Sequence, residues 1–164
     1  MPQRISYASV APGALKPLYD AGRYLRSSGT LEPALLDLVF LRASQMNGCA
    51  FCIAMHWREA REHGADDDRL HGLAAWREAS WYSAKERAAL AWTETLTDVA
   101  RSHAPDAIYE EARAVFSERE LVDLTLAIGT INAWNRFAIA FRTPPEKAAE
   151  VLAGTKSASH AAEN

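Results

Sequence analysis

The sequence predicts an all-α fold, a single-domain bundle of about six to eight helices, on three observations. Alternating runs of β-branched residues are missing, and no Asn-Gly hairpin joins two such runs. Apolar residues recur instead at helical spacing. Two capping boxes, Ser83-Ala-Lys-Glu86 and Ser117-Glu-Arg-Glu120, announce helix starts. At 164 residues the chain is long enough for one sizeable core and short for two.

The elements follow in order. Leu15, Leu18 and Leu25 predict a first helix over about residues 13–28, closed by Gly29. Thr30 opens a second, which carries Leu35, Leu38, Val39 and Met46 and ends at Asn47-Gly48. A third covers Cys49 to His63 and stops at Gly64. Asp66 to Ala75 reads as a shorter helix, and Arg77 to Tyr82 as a connector. The first capping box starts a helix that runs to about Arg101, and a short helix spans Pro105 to Phe116. The second box starts the last helix, roughly Glu118 to Arg142, ended by Pro144-Pro145. Leu121, Leu124, Ile128, Ile131, Trp134 and Phe141 are joined there by Val122, Leu126, Phe137 and Ile139 on other faces. A helix apolar on most sides is buried on most sides, which points to the bundle centre, a subunit interface, or both. Trp76, Trp81, Trp92 and Trp134 are expected in the core, and His63, His71, His103 and His160 on the surface. The predicted domain covers residues 1–153, with a disordered tail over 154–164.

Composition narrows the function. Hydrophobic residues make up 49% and charged residues 24%, with a net charge of −3 and no basic run. That excludes a nucleic-acid groove and a membrane-surface patch. The first residues hold no continuous apolar stretch, so neither signal peptide nor anchor is expected, and the predicted location is cytoplasmic. Two cysteines, three positions apart, do not make a secreted disulfide scaffold. In a reducing compartment such a pair reads as redox chemistry or metal binding.

The informative stretch runs from Asn47 to His56, NGCAFCIAMH. On a helix, Cys49 and Cys52 stand at i, i+3 and Cys52 and His56 at i, i+4, so all three share a face. Asn47-Gly48 breaks the chain just before, which places Cys49 in the first helical turn. Free N–H groups and the positive end of the helix dipole favour a thiolate there. An imidazole one turn beyond Cys52 can take its proton. If Asn47-Gly48 reverses the chain, Asp37 lies at the height of His56 to within ~4–5 Å at ~1.5 Å rise per residue. Asp37, the only acid between Leu35 and Met46, is then placed to orient His56. Two plainer readings stand beside this. The cysteines could be small buried hydrophobes, or Cys49, Cys52, His56 and Asp37 could hold zinc.

At these residues the chain resembles the carboxymuconolactone decarboxylase superfamily, in its alkylhydroperoxidase D-like branch. The run LVFLRASQMNGCAFC from Leu38 to Cys52, followed by His56, is similar to the core signature of that branch. Leu73-Ala-Ala-Trp-Arg-Glu78 and Ile131-Asn-Ala-Trp-Asn-Arg136 are similar to its single-domain members, so the likeness covers roughly residues 10–145. The resemblance implies an AhpD-like helical domain and a homo-oligomer, commonly a trimer or hexamer. It also implies a proton relay of Asp37, Cys52, His56 and Cys49, with Cys52 attacking the peroxide and Cys49 resolving it. Asp37 stands where the family has Glu, Phe51 where the founding peroxidase has a second His, and Ala54 where close relatives often have Asp. The expected activity is thiol-dependent reduction of an organic hydroperoxide or hydrogen peroxide. Electrons would come from a dithiol reductant, a lipoylated protein or a thioredoxin-like donor, and neither metal nor organic cofactor is called for. The rival readings are a non-catalytic redox switch or ligand-binding oligomer, and a carboxymuconolactone-type decarboxylase.

Overall fold

The computed structural model describes residues 2–153, which contain helices and no strand. In chain order the helices are α1 (Tyr7–Val10), α2 (Pro12–Ser27), α3 (Pro33–Asn47), α4 (Ala50–Glu62), α5 (Asp67–His71), α6 (Ala84–Thr97), α7 (Val99–Ser102), α8 (Asp106–Arg113) and α9 (Glu118–Phe141). Short 3-10 turns follow α5 and α9, at Gly72–Ala75 and Pro145–Lys147. The all-α, single-domain expectation holds. The expected tail from residue 154, with His160, lies outside the described residues.

The centre of the bundle is α3, packed on α4, α6 and α9. Its buried residues include Leu35, Leu36, Leu38, Val39 and Leu41, which together face more than one side. A helix enclosed this way needs no polar stripe. On one side Leu36 and Val39 join Trp92, Phe116, Leu124 and Ile128 in one core cluster. On the other, Leu38 and Leu41 join Leu70, Leu73, Trp76 and Leu90.

Both capping boxes form as the sequence predicts, at Ser83–Glu86 and Ser117–Glu120. Several boundaries differ, each for a local reason. α3 starts at Pro33 rather than Thr30, because proline at the first helical position has its φ already set and lacks only an N–H that would be unpaired there. The segment 66–75 divides into α5 and a 3-10 turn, and the helix after Ser83 breaks at Asp98 (φ −106°, ψ 36°) before α7. Trp76 and Trp92 are core residues. Trp81 is instead about half exposed and lies against Gly72, where an added Cβ would sit 2.3 Å from the ring.

Most apolar residues of α9 are covered within the chain. Leu121, Leu124, Ile128 and Ile131 are buried, while Trp134 and Phe137 are half-buried. The apolar surface left open on this helix is Val122, Leu126 and Ile139.

One polar junction ties the layers together. Glu94 on α6 accepts from Arg42 Nε of α3 at 2.7 Å and from the Trp76 indole at 2.9 Å, and it also pairs with Arg77. Burial opposes ionisation of Glu94, but these donors overcome it and hold the carboxyl below its ordinary value. Glu94→Ala would strand a largely buried guanidinium and an indole N–H. The expected loss is about 2–3 kcal/mol in urea unfolding, typical of hydrogen bonds to charged groups. Because this carboxyl's pKa is depressed on folding, its contribution is present above the ordinary glutamate value of 4.5 and disappears as pH falls through the lower folded value.

Candidate active site

The α3–α4 junction is built from four residues, Ser44, Asn47, Gly48 and Cys49. Gly48 adopts φ 68°, ψ 32°, a left-handed conformation that glycine takes without a Cβ penalty. The Gly48 N–H then donates to Gln45 C=O at 3.2 Å and the Cys49 N–H to Ser44 C=O at 3.0 Å, a paired closure of the α3 C-terminus. Cys49 is therefore spent twice: its N–H ends α3 and its side chain begins α4. It is the N-cap of α4 rather than a residue of the first turn, with extended backbone (φ −85°, ψ 91°). Its Sγ accepts the Cys52 N–H at 3.3 Å.

Cys49 and Cys52 are both free thiols, each about 1% exposed, but their surroundings differ. The Cys52 S–H donates to Cys49 Sγ, and that bond is the largest influence on both groups. It pulls the Cys49 thiol below its ordinary value despite burial, with help from the backbone N–H groups of Cys52 and Phe51. It pushes Cys52 far up, and burial and the Cys49 charge push it further. At rest, then, the first negative charge of the pair belongs on Cys49. Access runs the other way: Cys52 lies on the wall of a large cavity that Cys49 does not line.

His56, one turn beyond Cys52, is also on that wall and buried. Its Nδ1 lies 2.6 Å from Glu59 Oε2. Burial raises the Glu59 pKa, but the hydrogen bond from His56 and the positive charge nearby, Arg26 included, win and hold it low. An ionised carboxylate only accepts, so Nδ1 carries the hydrogen and Nε2 presents its lone pair. Nε2 has no hydrogen-bond partner among the described residues. That is the arrangement of a base waiting for a proton donor.

Asp37 is not the partner of His56. Its Oδ2 accepts from His63 Nδ1 at 2.6 Å, with Asp37 8% exposed and His63 50% exposed. Helix α4 turns His63 back over α3 at the height of Asp37, so this histidine is on the surface as the sequence suggests but has a partner there. Burial raises the Asp37 pKa, an effect only partly offset by His63, and the nearby Glu59 adds to it. The two carboxylate–imidazole pairs stand side by side, each acid sensing the other's histidine. The sequence reading missed Glu59, although its i, i+3 spacing from His56 was the available signal. It also missed Asn135, a fully buried amide on α9 that favours the ionised form of both thiols.

The cavity has a volume of about 1140 Å³ and is rich in rings: Tyr7, Tyr19, Phe40, Phe51 and Trp134. Trp134 packs at a tilt against Tyr19 with centroids 5.0 Å apart, and its place is the cavity wall rather than the core. A second hollow of about 400 Å³, between α9 and the α6–α7 region, is lined by no thiol, imidazole or carboxylate. Among the described residues no group of three or more His, Cys, Asp and Glu is arranged to hold a metal. The zinc grouping of Cys49, Cys52, His56 and Asp37 is not assembled, because Asp37 turns to His63 and His56 to Glu59. No described helix is long and apolar enough to cross a membrane.

Comparison with known proteins agrees with the fold. Residues 12–95 match the carboxymuconolactone decarboxylase family. The uncharacterized protein YdfG of Bacillus subtilis is 41% identical over 140 residues, covering 85% of this chain and 95% of its own length. The crystal structure of ATU0492 from Agrobacterium tumefaciens, a protein of unknown function and candidate antioxidant defence protein AhpD, superposes with a TM-score of 0.84. It is 43% identical and covers 87% of this chain and 97% of its own. The debrominase Bmp8 shares the fold at a TM-score of 0.74 and 16% identity, over 87% of this chain and 76% of its own.

Proposed function

We propose that this chain, which belongs to the carboxymuconolactone decarboxylase family, is a dithiol peroxidase of the AhpD-like branch. The single observation that carries the proposal is the asymmetric thiol pair. Cys52 stands on a cavity wall beside a base with a free lone pair, and Cys49 stands behind it as the better thiolate. The substrate is a hydroperoxide, organic or hydrogen peroxide, and the reductant is a small or protein-borne dithiol, lipoylated or thioredoxin-like.

The pair first gives one proton to His56 Nε2, leaving an anion shared between the sulfurs and an imidazolium held by Glu59. The remaining S–H proton passes from Cys52 to Cys49, which puts the charge on the sulfur that faces the cavity. Cys52 Sγ then attacks the terminal peroxide oxygen. An S–O bond forms, the O–O bond breaks, and the leaving alkoxide takes the His56 proton and departs as an alcohol. Cys52 is now a sulfenic acid. Cys49 Sγ attacks the Cys52 sulfur, the S–O bond breaks, and hydroxide leaves with the Cys49 proton as water. An external dithiol reduces the disulfide by exchange and is itself oxidised. The sum is hydroperoxide plus dithiol giving alcohol, water and disulfide.

In this reading Glu59, rather than Asp37, orients the base, and Asp37 with His63 shapes the field around it. A homo-oligomer that covers Val122 and Leu126, exposed one turn apart on α9, belongs to the same proposal, since exposed apolar surface is commonly closed by a symmetric partner. The test is peroxide consumption by the full chain with a panel of dithiols, small and protein-borne. Catalytic turnover with at least one donor is expected. Reversible disulfide formation without turnover, with every donor, would leave a redox switch in its place.

A further inference from the structure

The run Ile131-Asn-Ala-Trp-Asn-Arg136 plays no part in the mechanism above, yet its two asparagines are buried in the middle of the molecule. Such groups are kept only if their hydrogens and lone pairs are matched. Asn47, at the end of α3, directs both Nδ2 hydrogens at α9, to Asn132 Oδ1 at 2.9 Å and Asn135 Oδ1 at 2.8 Å. Asn132 in turn spends both of its own, on Thr97 Oγ1 at 3.1 Å and Ile128 C=O at 2.9 Å. Asn135 spends one, on Ser44 Oγ at 3.1 Å. These bonds also settle which way each amide is turned, because Asn47 requires an oxygen from both partners. One hydrogen of the network is left over. It belongs to Asn135 Nδ2, a side chain with no exposure, on the stretch of α9 where Ala138 packs against Cys49 and Cys52.

We propose that Asn135 is the anion-holding residue of the dithiol, the spare amide hydrogen solvating whichever sulfur carries the negative charge. The amide acts on Cys49 and Cys52 alike, favouring the ionised form of each. A donor that favours either anion stays useful as the charge moves from Cys49 to Cys52. The backbone N–H of Cys52, which donates to Cys49 Sγ at the helix N-cap, also favours the ionised form of each sulfur, so the amide is the side-chain counterpart of a backbone donor. The same amide is anchored through Ser44 and Asn47 to the residues that close α3, so the donor and the Cys49 turn are set by one network. The inference takes the dithiol from the function proposed above, but nothing in it depends on peroxide as the oxidant.

The test is a titration of the reduced full-length protein, read by ultraviolet thiolate absorbance and by alkylation rate. Removing a hydrogen bond to a charged group should raise the midpoint of the first thiolate by about 1–2 pH units in Asn135→Ala. Alkylation near neutral pH should fall about 10–100-fold with it. Asn135→Asp keeps the shape and replaces the donor by an acceptor, so its shift should be at least as large. Ser44→Ala loses a bond made by the other hydrogen and should move the midpoint much less. In wild type, one of the two Asn135 amide proton resonances should shift with the thiolate titration, a readout that needs no variant to fold. The proposal is overturned if that resonance stays still, or if Asn135→Ala lowers thermal stability while leaving the midpoint where it was. A protein that shows the shift but consumes no peroxide keeps Asn135 in this role and removes only the peroxidase reading.

Discussion

Cys52→Ser should reduce peroxide consumption to the level of buffer, while Cys49→Ser should consume one equivalent and stop. The difference follows from position. Only Cys52 lies on the cavity wall, so its loss removes the sulfur that a substrate can reach, and a serine hydroxyl has no comparable anion at neutral pH. In Cys49→Ser the attack on peroxide survives, but no second sulfur is present to expel hydroxide from the sulfenic acid. Mass spectrometry should find one added oxygen on Cys52, trapped by a sulfenic-acid reagent, and no disulfide. A second effect is sharper. In the wild type Cys52 is the harder thiol to ionise, because its S–H is held by Cys49 and its anion would face the Cys49 charge. Cys49→Ser removes both and leaves only burial to oppose the anion, so Cys52 should ionise at lower pH than in the wild type. A stable sulfenic acid on Cys49 in the Cys52→Ser protein, with Cys49→Ser inert from the first turnover, would reverse the two roles.

Much of this was legible in the residues alone, and the reasons are local. Capping boxes, the Asn47-Gly48 break and the C-x-x-C-x-x-x-H spacing depend on neighbours within one or two turns, and the helices they imply are present. The hairpin of α3 and α4 was also legible, because a left-handed glycine at 48 leaves the chain little choice. What the sequence concealed depends on the angle at which helices pack. Axial height alone puts Asp37 level with His56, yet the rotation of α4 about its axis gives Asp37 to His63 and leaves His56 to Glu59. Asn135 is more than eighty positions from the cysteines, and only the docking of α9 on the α3–α4 turn brings it there. The expectation for α9 shows the same limit. Apolar residues on many faces pointed to the bundle centre, a subunit interface, or both, and only the packing shows that the chain itself covers most of them and leaves Val122, Leu126 and Ile139 open.

His56→Ala should slow the reaction of Cys52 with peroxide about 10²–10⁴-fold near neutral pH, the usual worth of a positioned base. The loss should shrink in alkali, where solvent can remove the thiol proton instead. Glu59→Gln leaves an amide oxygen to accept from Nδ1 but removes the charge that steadies the imidazolium, so its loss should be smaller and in the same direction. Asp37→Asn should do less still, because its hydrogen bond goes to His63. The order His56→Ala, Glu59→Gln, Asp37→Asn therefore separates this geometry from one in which Asp37 orients the base, where the last two would exchange places. Acid gives an independent check through stability. Glu59 has a depressed folded pKa, so the stabilisation it brings is complete above the ordinary value of 4.5 and vanishes as pH falls through the lower folded one. Asp37 has a raised folded pKa, so its contribution is most favourable below the ordinary value of 3.8 and is lost as pH climbs through the folded one. Denaturant unfolding across that range should show Glu59→Gln flattening the acid loss of stability. Asp37→Asn, which removes a buried charge, should be no less stable than wild type at neutral pH. Rates and stabilities come from separate measurements. If Asp37→Asn slowed alkylation of Cys52 in the Cys49→Ser background as much as Glu59→Gln does, the assignment of Glu59 as the orienting acid would fail.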